Sequence, residues 1–189
     1  MITACPTVRP ESSPALHEPL WRFCGSHADI GAGLQRMGEL PALADAQRRA
    51  REGAEATLKL FEHQVVSHHI DEEKDLFTAV TRSARGTDDE ARVDALVSRL
   101  TSEHRAIEQL WCSIRPSVLA VSRGKQPEAI DFADRVAQLV ELYREHARAE
   151  EQVFLPLADR ILSRNPNHMA ALDLSLYMRH VPMPRLAYV

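Results

Sequence analysis

His27 and His68 stand 41 residues apart, and His104 and His146 stand 42 apart; the second member of each pair opens the same word, His-x-x-x-Glu-Glu. The two words read His68-His69-Ile70-Asp71-Glu72-Glu73 and His146-Ala147-Arg148-Ala149-Glu150-Glu151. Each histidine falls on an apolar stripe of helical period. Leu20, Phe23, Ile30, Leu34 and Met37 run at steps of three and four with His27 in line, and Leu58, Phe61, Val65, Leu76 and Val80 enclose His68 and Glu72. Val93, Leu96, Leu100, Ile107 and Trp111 enclose His104, and Val136, Leu139, Tyr143, Val153 and Leu157 enclose His146 and Glu150. Residues so spaced share one helix face. Four such stripes, with ligand types repeating at an offset of 77 or 78 residues, point to an all-α fold. The expected form is an up-down-up-down four-helix bundle of two hairpins packed face to face, with a short C-terminal fifth helix.

The helix boundaries follow from the breakers. A first helix is expected from Glu18-Pro19 to about Met37–Glu39, ending at Pro41, and a second from about Ala44 to Arg82. Thr87 is the expected N-cap of a third helix, with Asp88, Asp89 and Glu90 in its first turn and a bend at Pro116 before its end near Val121. A fourth runs from about Pro127 to Leu162 and a fifth from about His168 to Met178. The organisation expected is a flexible leader over 1–17, the bundle over 18–164, and a short helix with a tail over 165–189.

Composition removes several classes of function. A net charge of -4 offers no basic footprint for nucleic acid. No apolar run approaches the ~18–20 residues that a membrane helix needs, and residues 1–19 carry no signal-peptide apolar segment. Cys5, Cys24 and Cys112 are too few and too scattered for a disulfide framework. A cytoplasmic protein with idle thiols is expected, Cys24, one turn before His27, being the candidate for redox sensing.

A His and a Glu four apart on a buried stripe are costly, because an unpaired buried carboxylate costs roughly several kcal/mol. A metal removes that cost, since it accepts neutral imidazole and carboxylate together. The set His27, His68, Glu72, His104, His146 and Glu150 would suit a pair of iron ions. His-x-x-x-Glu alone is a weak signal, and it also occurs at His69–Glu73 and His104–Glu108. His69 and Glu73 share a face with Glu62 and Val66 and read as groups flanking the ligands. Glu108 reads as solvated beside the His104 stripe, with a ligand role open. Glu150 and Glu151 are both candidates for the second carboxylate, and Tyr143 reads as core packing or as a redox relay. His17, His63, His168 and His180 have no partner on a matching stripe.

With the order His27, His68/Glu72, His104, His146/Glu150, and with Asp75-Leu76-Phe77 and Phe154-Leu155-Pro156 following the two words, the chain resembles the hemerythrin-like family, the HHE cation-binding domain, from about Pro19 to Leu162. The resemblance implies a four-helix bundle around a non-haem diiron centre, the two irons joined by two carboxylates and an oxo or hydroxo bridge. His27 and His68 would serve one side, His104 and His146 the other, and Glu72 and Glu150 would bridge. Oxygen-carrying members place a second histidine where this chain has Glu108, and a carboxylate five residues after the last motif histidine, which is Glu151 here. These departures point from oxygen storage toward sensing or redox chemistry. The expected function is binding of O2 or a related small oxidant (NO or peroxide) for sensing or stress response, with a protein partner taking the output. The alternatives are a diiron redox enzyme (peroxidase-like or repairing iron centres) and a protein of iron handling or iron sensing. No histidine has Glu three residues before it, so the ferritin ligand pattern is absent.

Overall fold

Ala, Leu, Arg and Glu favour helix, and the structure, a computed structural model, is all-α, with no strand among the described residues. It describes residues 18–127 and 129–180, with the backbone alone for 18–26 and 28. The expected leader, the tail beyond His180, His17, Cys5 and the Cys24 side chain lie outside the described residues. Among the described residues seven α-helical elements follow in order: α1 (Glu18–Lys59), α2 (Val66–Asp71), α3 (Phe77–Ala84), α4 (Glu90–Ser122), α5 (Phe132–Ala149), α6 (Leu155–Leu162) and α7 (Pro166–His180). Single π-helical turns at Leu60–Val65, Glu72–Leu76 and Glu150–Phe154 join α1 to α2, α2 to α3, and α5 to α6 without a break.

The expected stop at Pro41 does not occur, and α1 passes through it. Proline removes one backbone hydrogen bond, but Glu39-Leu40 and Ala42-Leu43-Ala44 are good helix formers on either side. The chain divides into two units at Ala50 and Arg51. In the first, Ile30, Leu34, Met37 and Leu40 of α1 are exposed, whereas the stripe they form was expected to face a core.

In the second unit the helical stretches 51–84, 90–122 and 132–162 fold back on one another. Gly86 and Gly124 supply the left-handed backbone at the two reversals, with φ of 71° and 73°. Thr87 does not cap α4. Its hydroxyl donates to the Ala84 carbonyl at 2.6 Å and accepts the Asp89 amide at 3.3 Å, closing the turn. Asp89 then pairs with Arg160 of the stretch 132–162 and with Arg164 just after it, tying the reversal to that stretch. The helix expected from Pro127 begins at Phe132.

Two apolar cores occupy the two ends of this unit. One gathers Ala54, Phe61, Val65, Ile107, Trp111, Ile114, Val118 and Leu139. The other gathers Phe77, Val80, Ala84, Val93, Leu100, Phe154, Leu157, Ile161 and Leu172. On α4 the stripe residues Val93, Leu100, Ile107 and Trp111 are buried and Leu96 partly so, as the period predicts. Downstream of each π turn the phase slips, because a π turn takes in one more residue than an α turn. Thus Val153, on the expected stripe, is exposed while Phe154 is fully buried. Phe61 stacks on Trp111 with centroids 4.0 Å apart. Trp111→Ala is expected to cost about 3–5 kcal/mol, seen as a lower urea midpoint at unchanged slope. A loss under ~1 kcal/mol would mean that this core is not closed as described.

Candidate metal centre

Between the two cores, five polar side chains are buried together: His69 from α2, Glu72 opening the second π turn, His104 from α4, His146 from α5, and Glu150 opening the third π turn. The His69 and His104 rings stack with centroids 3.9 Å apart, and His146 meets His104 edge-on at 4.8 Å. One ligand atom from each of Glu72, His104, His146 and Glu150 falls within a 4.8 Å span, as do the corresponding atoms of His69, His104 and His146.

The three imidazoles are oriented in the same way. His69 Nδ1 donates to Glu108 at 3.0 Å, His104 Nδ1 to Glu73 at 2.8 Å, and His146 Nδ1 to Glu103 at 3.1 Å. Arg105 holds both Glu73 (2.5 Å) and Glu108 (3.1 Å), and Arg99 holds Glu103 (2.7 Å). With Nδ1–H engaged by a carboxylate, each ring turns Nε2 inward. Those three Nε2 atoms, Glu72 Oε2 and Glu150 Oε1 are buried and have no hydrogen-bond partner among the described residues. Their neighbours stand at 3.3 Å (His104–Glu72), 3.4 Å (His146–Glu150) and 3.9 Å (His104–Glu150). Orphaned buried polar atoms are rare in native proteins, and five converging ones of metal-ligand type fit a bound cation. A carboxylate holding the far nitrogen of a ligating histidine is the usual support of such a site.

Both carboxylates owe their position to the π turns. The carbonyls of Glu72 and Glu150 accept the amides of Phe77 and Leu155, five residues on. A π turn is uncommon and recurs at functional positions. Each turn carries its glutamate inward and re-aims the residues after it.

Of the six residues expected as ligands, four meet here: Glu72, His104, His146 and Glu150. His68 lies at the edge, half exposed, with Nε2 3.4 Å from Glu72 Oε1. His27 is exposed on α1, in the first unit. His69, expected as a flanking group, is instead fully buried among the ligand atoms. The signal was present: Phe61, Val65 and His69 are spaced by four, and the π turn at Leu60–Val65 selects that phase over His68. Glu150 is buried and Glu151 exposed. Glu108, expected as solvated, holds His69, and Glu103 was not foreseen. His168 and His180 also have partners, Ser83 at 2.8 Å and Asp71 at 2.8 Å.

The electrostatics follow from burial and these partners. Burial works against a charge on His104, but Glu150, Glu72 and Glu73 around it carry its pKa up to about 10. Burial lowers that of His69, and the neighbouring His104 and His146 add to the effect against Glu108. Burial would raise Glu150, but His104 and His146 outweigh it and hold it below the usual carboxylate range. His104 therefore holds a proton at neutral pH, one that a bound cation would have to displace. Its unfolded value is 6.5, so the stability it lends is complete below that pH and is lost as pH rises through about 10. Metal binding at pH 8 should release about one proton from this site, read by calorimetry in buffers of different ionisation enthalpy. Heats independent of buffer would contradict the assignment. Glu73→Gln should weaken metal affinity about 10–100-fold, measured by competition with a chelator.

The family model for the hemerythrin HHE cation binding domain matches residues 22–158. No curated protein and no solved structure matches the chain.

Proposed function

The chain belongs to the hemerythrin HHE cation-binding family, and on that footing we propose that its buried histidine–glutamate cluster holds a pair of non-haem iron ions and binds O2 or a related small oxidant, NO or peroxide, for sensing or stress response. The observation that carries this reading is the gathering of five buried ligand atoms, without hydrogen-bond partners among the described residues, between two apolar cores. His69, His104 and His146 would supply imidazole nitrogen, and Glu72 and Glu150 carboxylate oxygen. His68 stands beside Glu72 as a further nitrogen. His27 keeps a ligand role in this reading on its sequence spacing alone.

Bound iron would supply the electrons that a small oxidant takes up. The protein's part is to hold its ligands neutral or anionic as needed, to orient them, and to keep water out. Glu73, Glu103 and Glu108 fix the tautomer of the three rings, so that each Nε2 carries a lone pair toward the centre. Phe77 stacks near His104 with centroids 5.8 Å apart, and Phe154 packs edge-on against Phe77 at 5.0 Å. These rings place hydrocarbon against the site and exclude solvent on that side. No helix among the described residues is long and apolar enough to cross a membrane.

A redox enzyme is the second reading, favoured by Tyr143. Its ring lies 6.1 Å from that of His146. Burial, then the charges of Glu72 and Glu150, raise its pKa, keeping it a neutral phenol next to the centre.

The test is metal content and optical spectrum of protein purified without oxygen and then exposed to air. About two irons per chain, with near-ultraviolet absorption appearing on oxidation, is the expected result. Slow decay of the air-exposed spectrum favours binding, and rapid decay that Tyr143→Phe abolishes favours the enzyme. His146→Ala should lose the metal while His63→Ala, at an exposed position, keeps it. Equal metal in both, or zinc alone, would sink the diiron reading. His27→Ala with full metal content would remove His27 from the ligand set.

A further inference from the structure

Asp75 is a buried carboxylate three residues after Glu72, inside the π turn that Glu72 opens. Its partners come from far along the chain. Ser175 Oγ donates to Oδ1 at 2.5 Å, and Arg179 donates to Oδ2 through Nε at 2.6 Å and lies 2.5 Å from it through Nη2. The same guanidinium stands 3.2 Å from Asp71 Oδ1, and His180 Nε2 pairs with Asp71 Oδ2 at 2.8 Å. Arg179 thus spans Asp71 and Asp75, the residues one before and three after Glu72. All three partners sit on α7, which lies beyond the family-matched residues 22–158.

We infer that α7 is a latch on the metal centre: Arg179, with Ser175 and His180, grips both ends of the π turn that carries Glu72 and so positions that carboxylate. This rests on the metal-binding reading above. A π turn is less favourable than the α-helical register, so residues 72–76 need outside contacts to hold it. Just beyond the turn, Thr78 Oγ1 of α3 donates back to the Glu73 carbonyl at 3.2 Å. Across it, Leu172 of α7 joins the core that contains Phe77 and Val80. Asp75 makes the choice of register costly to reverse. One residue of slip would withdraw its buried charge from Ser175 and Arg179, and a buried carboxylate without partners is strongly disfavoured. The third π turn, which carries Glu150, has no such clasp among the described residues. The two glutamates are therefore held by different means, Glu150 by core packing around Phe154 and Glu72 by a salt-bridged helix. Arg179 touches no ligand atom and is a positioning residue.

The test uses the full chain and has two arms. In metal-free protein, amide hydrogen exchange of the segment 72–76 is followed in Arg179→Ala, Arg179→Lys and Arg160→Ala. Arg160→Ala removes a comparable exposed arginine–aspartate pair, at Asp89, away from this turn. The latch predicts exchange at 72–76 faster by about tenfold in Arg179→Ala, partial restoration in Arg179→Lys, and no change there in Arg160→Ala. The second arm titrates cobalt(II) as a spectroscopic probe. Affinity should fall about tenfold in Arg179→Ala and stay at the wild-type value in Arg160→Ala. Unchanged exchange in Arg179→Ala, or equal loss of cobalt affinity in the two alanine variants, overturns the latch. Wild-type protein that binds no cobalt overturns the metal reading and with it the positioning role, and the exchange arm identifies that case because it needs no metal.

Discussion

Three imidazoles are each pinned through Nδ1 by a carboxylate on the outer side of the helices, and the architecture of the second unit answers to that arrangement. A histidine whose outer nitrogen is tied down has one direction left for the other, and here that direction is inward. Placing three such nitrogens and two carboxylates in an apolar interior is unfavourable unless something joins them. The helices nonetheless bring them to one point, with close-packed hydrocarbon on both sides. Such a cluster is tolerated where a cation replaces the lost hydration, and that requirement explains why the supporting glutamates are themselves held by Arg99 and Arg105. The positive charge of those arginines stays at the rim, where solvent reaches it.

The π turns reconcile two demands that an unbroken α-helix could not meet together. The apolar residues must follow a helical period to fill two cores, and the glutamates must project into the gap between those cores. Inserting one residue at Glu72 and again at Glu150 lets the stripe before each glutamate and the stripe after it face inward in different phases. Phe154 rather than Val153 is the visible result after Glu150, and the earlier π turn at Leu60–Val65 does the same for His69 over His68. Such turns are weak locally and depend on tertiary contacts. That dependence gives α7 its place: a short helix with little core of its own reaches the turn at Asp71 and Asp75 through charged groups.

Much of this was legible in the residues alone. Helical period, the scarcity of glycine and the duplicated His-x-x-x-Glu-Glu words determined an all-α chain with paired histidines and glutamates on its helix faces, because those signals depend only on local spacing. They placed Glu72, His104, His146 and Glu150 on inward faces, and the short helix after residue 165, where the structure has them. The tertiary structure decided what spacing leaves degenerate. His68 and His69 both continue the step from Val65, and only the π turn before them picks His69. Glu150 and Glu151 are adjacent, and only the turn they begin buries one and exposes the other. Glu103 and Glu108 are ordinary surface acids by sequence, since their role depends on a histidine on another helix. Pro41 looked like a break because a local rule was applied to a helix whose flanking residues outweigh it. The link from Arg179 to Asp75, 104 residues apart, has no local signature, because a charge pair is recognisable only once the chain has brought its members together.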